Sequence, residues 1–152
     1  MKSLKCVENL YTKLKGLKFT NYTTYNLDLK YFKVSEFDSP DEPGSGYKMD
    51  KQFLMKLDYA RGIAGIPFKI TSAFRTEARN ELVGGRVGSS HLKGLACDIG
   101  YYGSRERYLI LQSLMQMGIT RFGIAKGFIH CDVDKSKDPD VIWLYWNNKF
   151  EY

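Results

Sequence analysis

Ser89-Ser90-His91-Leu92-Lys93-Gly94-Leu95-Ala96-Cys97-Asp98-Ile99 is the stretch on which the reading of this chain turns. It contains one of only 2 histidines in the sequence, with a carboxylate further along. In one continuous strand His91 and Asp98 would point to opposite faces, because side chains alternate with a period of two. In a helix they would share a face, but Gly94 and the small residues around it argue against a helix. A bend at Lys93-Gly94 resolves the conflict, with His91 projecting from a loop and Asp98 from a strand over 95–99. The other histidine lies in Gly127-Phe128-Ile129-His130-Cys131-Asp132-Val133-Asp134, which reads as a strand from 128 to 133. On a neighbouring strand, His130 would meet His91 and Asp98 around one ion. Two imidazoles and a carboxylate leave a fourth tetrahedral position open, the pattern of a catalytic zinc site. The competing reading is a pair of half-buried histidines hydrogen-bonded to nearby aspartates.

Outward from these segments the pattern alternates between helix and strand. Met49, Phe53, Leu54, Leu57, Ala60, Arg61 and Ala64 fall at helical spacing, and Gly65 with Pro67 ends that helix. Phe68 to Ser72 alternates like a strand, and Thr76 to Leu82 reads as a short helix closed by Gly84-Gly85. Ser104 is placed to cap a helix through Met117, with Tyr108, Leu111, Leu114 and Met115 as its apolar stripe and Gly118 at its end. Arg121–Ile124 and the His130 strand form a hairpin through Ala125-Lys126-Gly127. Val141 to Trp146 is a final strand. Upstream, Tyr31 to Val34 reads as a short strand before a Pro- and Gly-containing loop over 35–46. Mixed helices and strands, with the last strands close in sequence, predict an α+β domain built on an antiparallel sheet. The domain is expected over 31–152, with residues 1–30 as an N-terminal extension packed on it.

Composition bounds the alternatives. The chain has 152 residues, enough for one ordinary domain, and 43% hydrophobic against 26% charged residues is globular. Lys and Arg total 23 against 17 Asp and Glu, a net charge of +6 that suits an anionic partner or a solvated basic surface. No recognition helix or stacking platform is evident, so nucleic acid is not expected as the partner. No apolar run reaches a membrane span, and Met1 to Asn9 does not read as a secretory signal. The 3 cysteines, Cys6, Cys97 and Cys131, make no disulfide framework and suggest synthesis in a reducing compartment. Cys97 and Cys131 each adjoin a ligand candidate but alternate to the other face, as small buried hydrophobes. No HExxH helix, P-loop or GxSxG elbow occurs. Gly84-Gly85-Arg86-Val87-Gly88 reads as an active-site loop whose backbone could approach a peptide.

The stretch around His91 resembles the SxHxxGxAxD motif of zinc D-Ala-D-Ala carboxypeptidases and related peptidoglycan peptidases, bacterial enzymes and phage endolysins that share a fold with the hedgehog signalling domain. Ile70-Thr71-Ser72-Ala73-Phe74-Arg75-Thr76 is similar to that family's (I/V)-T-S-G-(Y/F)-R stretch, and Phe128-Ile129-His130-Cys131-Asp132 to its terminal ligand segment. Phe37-Asp38-Ser39-Pro40-Asp41 and the helix after Met49 look like one branch of it. The resemblance spans residues 31 to 134, with its motifs in order.

The resemblance implies a single hedgehog/DD-peptidase-like domain with a zinc cleft on the sheet, and one zinc ion per chain bound by His91, Asp98 and His130. It implies that Arg75 binds the substrate's carboxylate or carbonyl, for which a guanidinium fork is suited; read alone, Arg75 would be a surface salt bridge. Ser90 of the motif is expected to contact substrate. Many members carry a His or Glu two or three residues before the last ligand, where this chain has Phe128 and Gly127. Asp132, on the strand face of His130, is therefore the candidate for general base or else for a partner that fixes a ligand, and Asp134 is the weaker candidate. The expected activity is cleavage of stem or cross-link peptides of peptidoglycan by a monomer, made in a phage-infected or bacterial cytoplasm and acting on the wall after release. The alternative is a catalytically inactive module of the same fold that binds peptidoglycan or a protein.

Overall fold

The structure, a computed structural model, describes residues 27–146 and 149–151. Almost all of the expected N-terminal extension, with Cys6, lies outside the described residues. Among the described residues, three helices and six strands follow two 3-10 turns, Val34–Phe37 and Ser45–Lys48: α1 Lys51–Ala64, β1 Lys69–Ser72, α2 Glu77–Leu82, β2 Ala96–Gly100, α3 Gly103–Gln116, β3 Arg121–Ile124, β4 Phe128–Asp132, β5 Val141–Trp146 and β6 Lys149–Glu151. The strands form one sheet in the order β1-β2-β4-β3-β5-β6. The fold class is α+β, as expected.

Alternation divides the sheet into two faces. Cys97, Ile99, Ile129, Cys131 and Phe122 point to one side, where they join Phe53, Leu54, Leu57 and Ala60 of α1 and Ile110 and Leu114 of α3 in one buried cluster. The two cysteines are fully buried free thiols there, and burial pushes both well above the usual thiol range. Asp98, His130 and Asp132 alternate with them and face the other side.

Local chemistry sets the element ends. Asp50 caps α1 by accepting from the Phe53 N–H at 2.8 Å, and Gly65 ends it in the left-handed conformation. Thr76 caps α2 through the Arg79 N–H. The expected strand over 31–34 is absent. The N–H groups of Lys30 and Tyr31 bond the buried carboxylate of Asp58, and that of Lys33 bonds Glu36, so the donors a strand would need are committed elsewhere. Ser104 is not the cap of α3: the N-cap is Tyr102, whose N–H donates to Glu106 at 2.7 Å. The buried face of α3 carries Ile110, Ser113 and Leu114, while Tyr108 and Met115 are exposed. Ser113 tolerates burial because its hydroxyl donates to the Ile110 carbonyl, so a polar residue hid the true phase of the helix.

The sheet is antiparallel with one exception, the parallel pairing of β3 and β5. The connection over 133–140 carries the chain from β4 past the start of β3. There the Thr120 carbonyl and hydroxyl accept from the N–H groups of Val141 and Asp140, and β5 continues along the far edge of β3.

The bend ahead of β2 is a tight turn in which Gly94 has φ +67°. Its carbonyl accepts from the Asp50 N–H, and a Cβ at Gly94 would lie 2.4 Å from the Lys48 carbonyl oxygen and 2.8 Å from Met49 Cα. Gly94→Ala is therefore expected to lower stability by about 2 kcal/mol or more, from the left-handed conformation plus the backbone clash. For a domain of this size that corresponds to a fall of at least about 5 °C in Tm, read by thermal denaturation of metal-free protein.

Candidate metal centre

Asp98 on β2 and His130 on β4 are directly paired across the ladder. His91 reaches them from the turn that precedes β2, a turn closed by Leu92, Lys93 and Gly94 N–H groups donating to the carbonyls of Ser89, Ser90 and His91. Ligand atoms of His91, Asp98 and His130 all lie within 4.8 Å of one another, and the three residues are buried. His91 Nε2 is 3.2 Å from His130 Nδ1, and Asp98 Oδ1 is 3.3 Å and 2.8 Å from these two nitrogens. Zinc with bonds of about 2.0–2.2 Å separates tetrahedral ligands by roughly 3.3–3.5 Å, so the three edges are close to those a bound ion would set.

The outer nitrogens fix the tautomers. His91 Nδ1–H donates to the Ala73 carbonyl at 2.6 Å, and His130 Nε2–H donates to Asp132 Oδ2 at 3.2 Å. Each ring therefore turns its other nitrogen inward, as metal-binding imidazoles do. Burial lowers the pKa of His91. It opposes charge on His130 too, but hydrogen bonds to Asp132 and Asp98 outweigh it and raise that pKa. Asp98 is buried as well, yet the two histidines hold its carboxyl far below the usual range. The metal-free cluster thus keeps an ionised carboxylate against two imidazoles of opposite tendency, a donor set suited to a cation.

Arg75 is brought to the cluster. Its Nη2 donates to Asp98 Oδ2 at 2.8 Å and its Nε to Ser72 Oγ at 2.8 Å, while Asp98 Oδ1 faces the histidines. A register shift in the β1–β2 pairing sets Ser72 beside Asp98 and so makes this contact. Asp132 is 1% exposed, with Oδ1 taking the Arg121 Nε–H at 2.8 Å and the Asp134 N–H at 3.1 Å. Both of its oxygens are engaged.

Ser90 is not brought to the cleft. It is 1% exposed; its hydroxyl donates to Asp134 at 3.0 Å and accepts from Lys137 Nζ at 2.8 Å. Lys93 and Ser136 complete the shell of Asp134. Ser90 therefore anchors the His91 turn to the β4–β5 connection. The Gly84–Gly88 loop is largely exposed. The close approach at Gly85 is to Asn80, whose side chain also donates to the Arg86 carbonyl.

Sequence reasoning did not single out Arg121, Gly123, Trp143 or Tyr145, all of which lie beside the cluster. Arg121 bonds Asp132 and the Asp138 carbonyl and lies 5.6 Å from the Trp143 ring, and that ring is 5.5 Å from His130. The available clues were a glycine inside a strand and aromatics on alternate positions of β5.

The α+β sheet thus carries a buried His-Asp-His cluster whose donor geometry suits a metal ion. The sequence model of the family described as Peptidase M15 matches residues 30–132, well over half of the chain. The chain belongs to this family of zinc peptidases. No curated protein matches it.

Asp134 gives the site a pH signature. Burial pushes its carboxyl upward, but hydrogen bonds from Ser136, Lys93 and Ser90 hold it well below the usual range. A depressed folded-state pKa contributes stability that is present above the unfolded value of about 3.9 and is lost as pH falls. Asp134→Asn should therefore be less stable than wild type at pH 7, with the gap narrowing below about pH 4. Urea denaturation of chelator-treated protein at both pH values measures this without interference from metal loss.

Proposed function

We propose that this protein is a zinc-dependent peptidase that cuts stem or cross-link peptides of bacterial peptidoglycan. The observation that carries the reading is the preformed cluster of His91, Asp98 and His130, two inward ring nitrogens and a carboxylate oxygen on the open face of an M15 peptidase domain. The resemblance of the Ser89–Ile99 and Ile70–Thr76 stretches to peptidoglycan peptidases supports the substrate class. A net charge of +6 favours an anionic wall polymer. No helix among the described residues is long and apolar enough to cross a membrane. A lytic role after release from a phage-infected cell is consistent with these features.

His91, Asp98 and His130 would hold the zinc. When bound, zinc polarises the scissile carbonyl and lowers the pKa of a coordinated water to about 7. Arg75 uses Nε and Nη2 within the protein, which fixes its plane and leaves Nη1 to bind a substrate oxygen. Asp132 holds the proton on His130 Nε2 and so keeps Nδ1 turned inward; Arg121 in turn holds Asp132 in place. This orienting role is the better supported of the two expected for Asp132, because a general base needs an edge open to the cleft. The engagement of Asp132 and Asp134 also favours a second reading, a module of the same fold that binds wall peptide without cutting it.

Zinc content and amine release from purified peptidoglycan together test the proposal. Wild type is expected to carry about one zinc and to release amino groups. His91→Ala, Asp98→Ala and His130→Ala are each expected to lose most of the metal and the activity, because three protein ligands leave no redundancy. Full zinc occupancy and activity in His91→Ala would refute the site. Zinc and peptidoglycan binding without amine release, across several wall chemistries, would favour the binding module.

Asp132→Asn distinguishes an orienting partner from a base. Loss of orientation should weaken zinc binding by about 10–100-fold, with activity restored at saturating zinc. A base would leave zinc bound and cost roughly 10²–10⁴ in rate at every zinc concentration.

A further inference from the structure

A second row of positions lies beside the cluster on the same face of the sheet. Gly100 follows Asp98 by two residues on β2 and so shares its face, about 6.6 Å further along the strand. Across the ladder Gly100 is paired with Phe128, as Asp98 is with His130.

Gly100 and Gly123 both lie on this face, and they differ in what covers them. A Cβ at Gly123 would lie 2.4 Å from Tyr145 Cε2 and 2.6 Å from Trp143 Nε1, so rings fill that space. A Cβ at Gly100 would meet the Thr71 Cγ2 methyl at 3.1 Å, and the next atoms are the backbone oxygens of Lys69 and Gly127 at 3.6 and 3.8 Å. No ring is among these neighbours. Gly100 is also absent from the glycines with positive φ, so the backbone does not itself call for glycine there. Glycine in a strand interior weakens the strand and often marks a site where a ligand approaches closely.

The surroundings of Gly100 form a shallow depression. Thr71 is exposed, and Gly100 and Phe128 are partly exposed, so water reaches the floor and both sides. The Thr71 hydroxyl donates to the Asp98 carbonyl at 3.1 Å, which leaves its methyl beside Gly100. On the other side the Phe128 ring lies 5.7 Å from that of Tyr145 on β5, and so leans away from Gly100. Two strand spacings, about 10 Å, separate β1 from β4, which is room for one small side chain between Thr71 and Phe128. Arg75 stands at the head of the depression. It is held by Ser72, the neighbour of Thr71, and by Asp98.

Resting on the peptidase reading above, we propose that Gly100 limits the size of the substrate side chain next to the scissile bond. The residue whose oxygen Arg75 holds drops a small apolar side chain onto Gly100, between the Thr71 methyl and the Phe128 ring. Gly100 and Thr71 are specificity-determining residues and take no part in the chemistry.

The experiment uses synthetic stem peptides in which each alanine is replaced in turn by glycine or by 2-aminobutyrate, one carbon longer. Wild type, Gly100→Ala and Thr71→Ser are compared by kcat/KM and zinc content. Gly100→Ala fills the floor, whereas Thr71→Ser removes the methyl and keeps the hydroxyl for the Asp98 carbonyl. Both variants should bind zinc as wild type does. At one alanine position Gly100→Ala should lower the preference for alanine over glycine by about 10-fold or more, the usual worth of one carbon in an apolar pocket. At the same position Thr71→Ser should shift preference the other way, toward 2-aminobutyrate. Preferences that both variants leave unchanged, or an equal loss on every peptide in Gly100→Ala, would overturn the assignment. Should Gly100→Ala fail to fold, Thr71→Ser alone decides. Should wild type cut none of the peptides, the peptidase reading fails, and calorimetric titration of zinc-loaded protein with the same peptides judges the depression separately. A preference for alanine over 2-aminobutyrate in binding that either variant shifts supports it. No binding, no preference, or a preference that both variants leave intact overturns it.

Discussion

One buried carboxylate organises this domain. Asp98 stands directly across the ladder from His130, gives Oδ1 to the two histidines and Oδ2 to Arg75, and lies 6% exposed. A carboxylate so placed is costly unless its charge is answered and its lone pairs are filled. Arg75 answers the charge permanently, and the two imidazoles lie against the other oxygen. Each partner is then fixed from behind: Arg75 by Ser72, His91 by the Ala73 carbonyl, and His130 by Asp132, itself held by Arg121. The cluster is therefore the innermost layer of a polar network whose outer layers leave its members few other positions.

The same strands that carry this network carry the core, and alternation lets them do both. On β2 and β4, Cys97, Ile99, Ile129 and Cys131 pack beneath α1 and α3, while the residues between them form the site. A one-residue slip of β2 against β4 would send charges into the apolar cluster and thiols into the cleft. The register that seals the core is also the register that sets Asp98 against His130, so folding and site assembly are one event. Gly94 extends the link to the turn, since the left-handed bend that presents His91 is docked on the backbone of Lys48 and Met49.

What could be read from the sequence was what depends on local chemistry. The helix over Lys51–Ala64, the strands at 69–72, 96–100, 121–124, 128–132 and 141–146, and the bend at Gly94 all follow from period, caps and glycine placement. The conflict between strand parity and the His91–Asp98 spacing was enough to require that bend. Hidden features were those in which a side chain's partner lies far along the chain. Ser113 is the local exception, polar by type but satisfied within its own helix turn. The donors of residues 30 and 31 are taken by Asp58. The motif serine Ser90 was expected at the substrate, yet Asp134 and Lys137, more than 40 residues on, hold its hydroxyl inside. Spacing alone does not reveal Arg121 either, because its role arises from lying opposite Asp132 on the adjoining strand.

The parallel pairing of β3 with β5 is the part of the topology with the largest consequence for the site. A simple hairpin after β4 would have returned the chain antiparallel to it, but the neighbouring positions on both sides of β4 are already held by β2 and β3. The chain must pass beyond β3, and in doing so it lays Trp143 and Tyr145 on the face that carries His130. The passage is not loose. Asp134 ties its beginning to Ser90 in the His91 turn and to Lys93, the Asp138 carbonyl is bonded by Arg121, and Thr120 takes the N–H groups of Asp140 and Val141. The turn that presents His91 and the connection that delivers the aromatic rings are thus joined through a single buried aspartate, and Arg121 joins that connection, through Asp132, to the outer side of His130. Displacing the connection would therefore be felt on both sides of the cluster, through Ser90 at His91 and through Asp132 at His130.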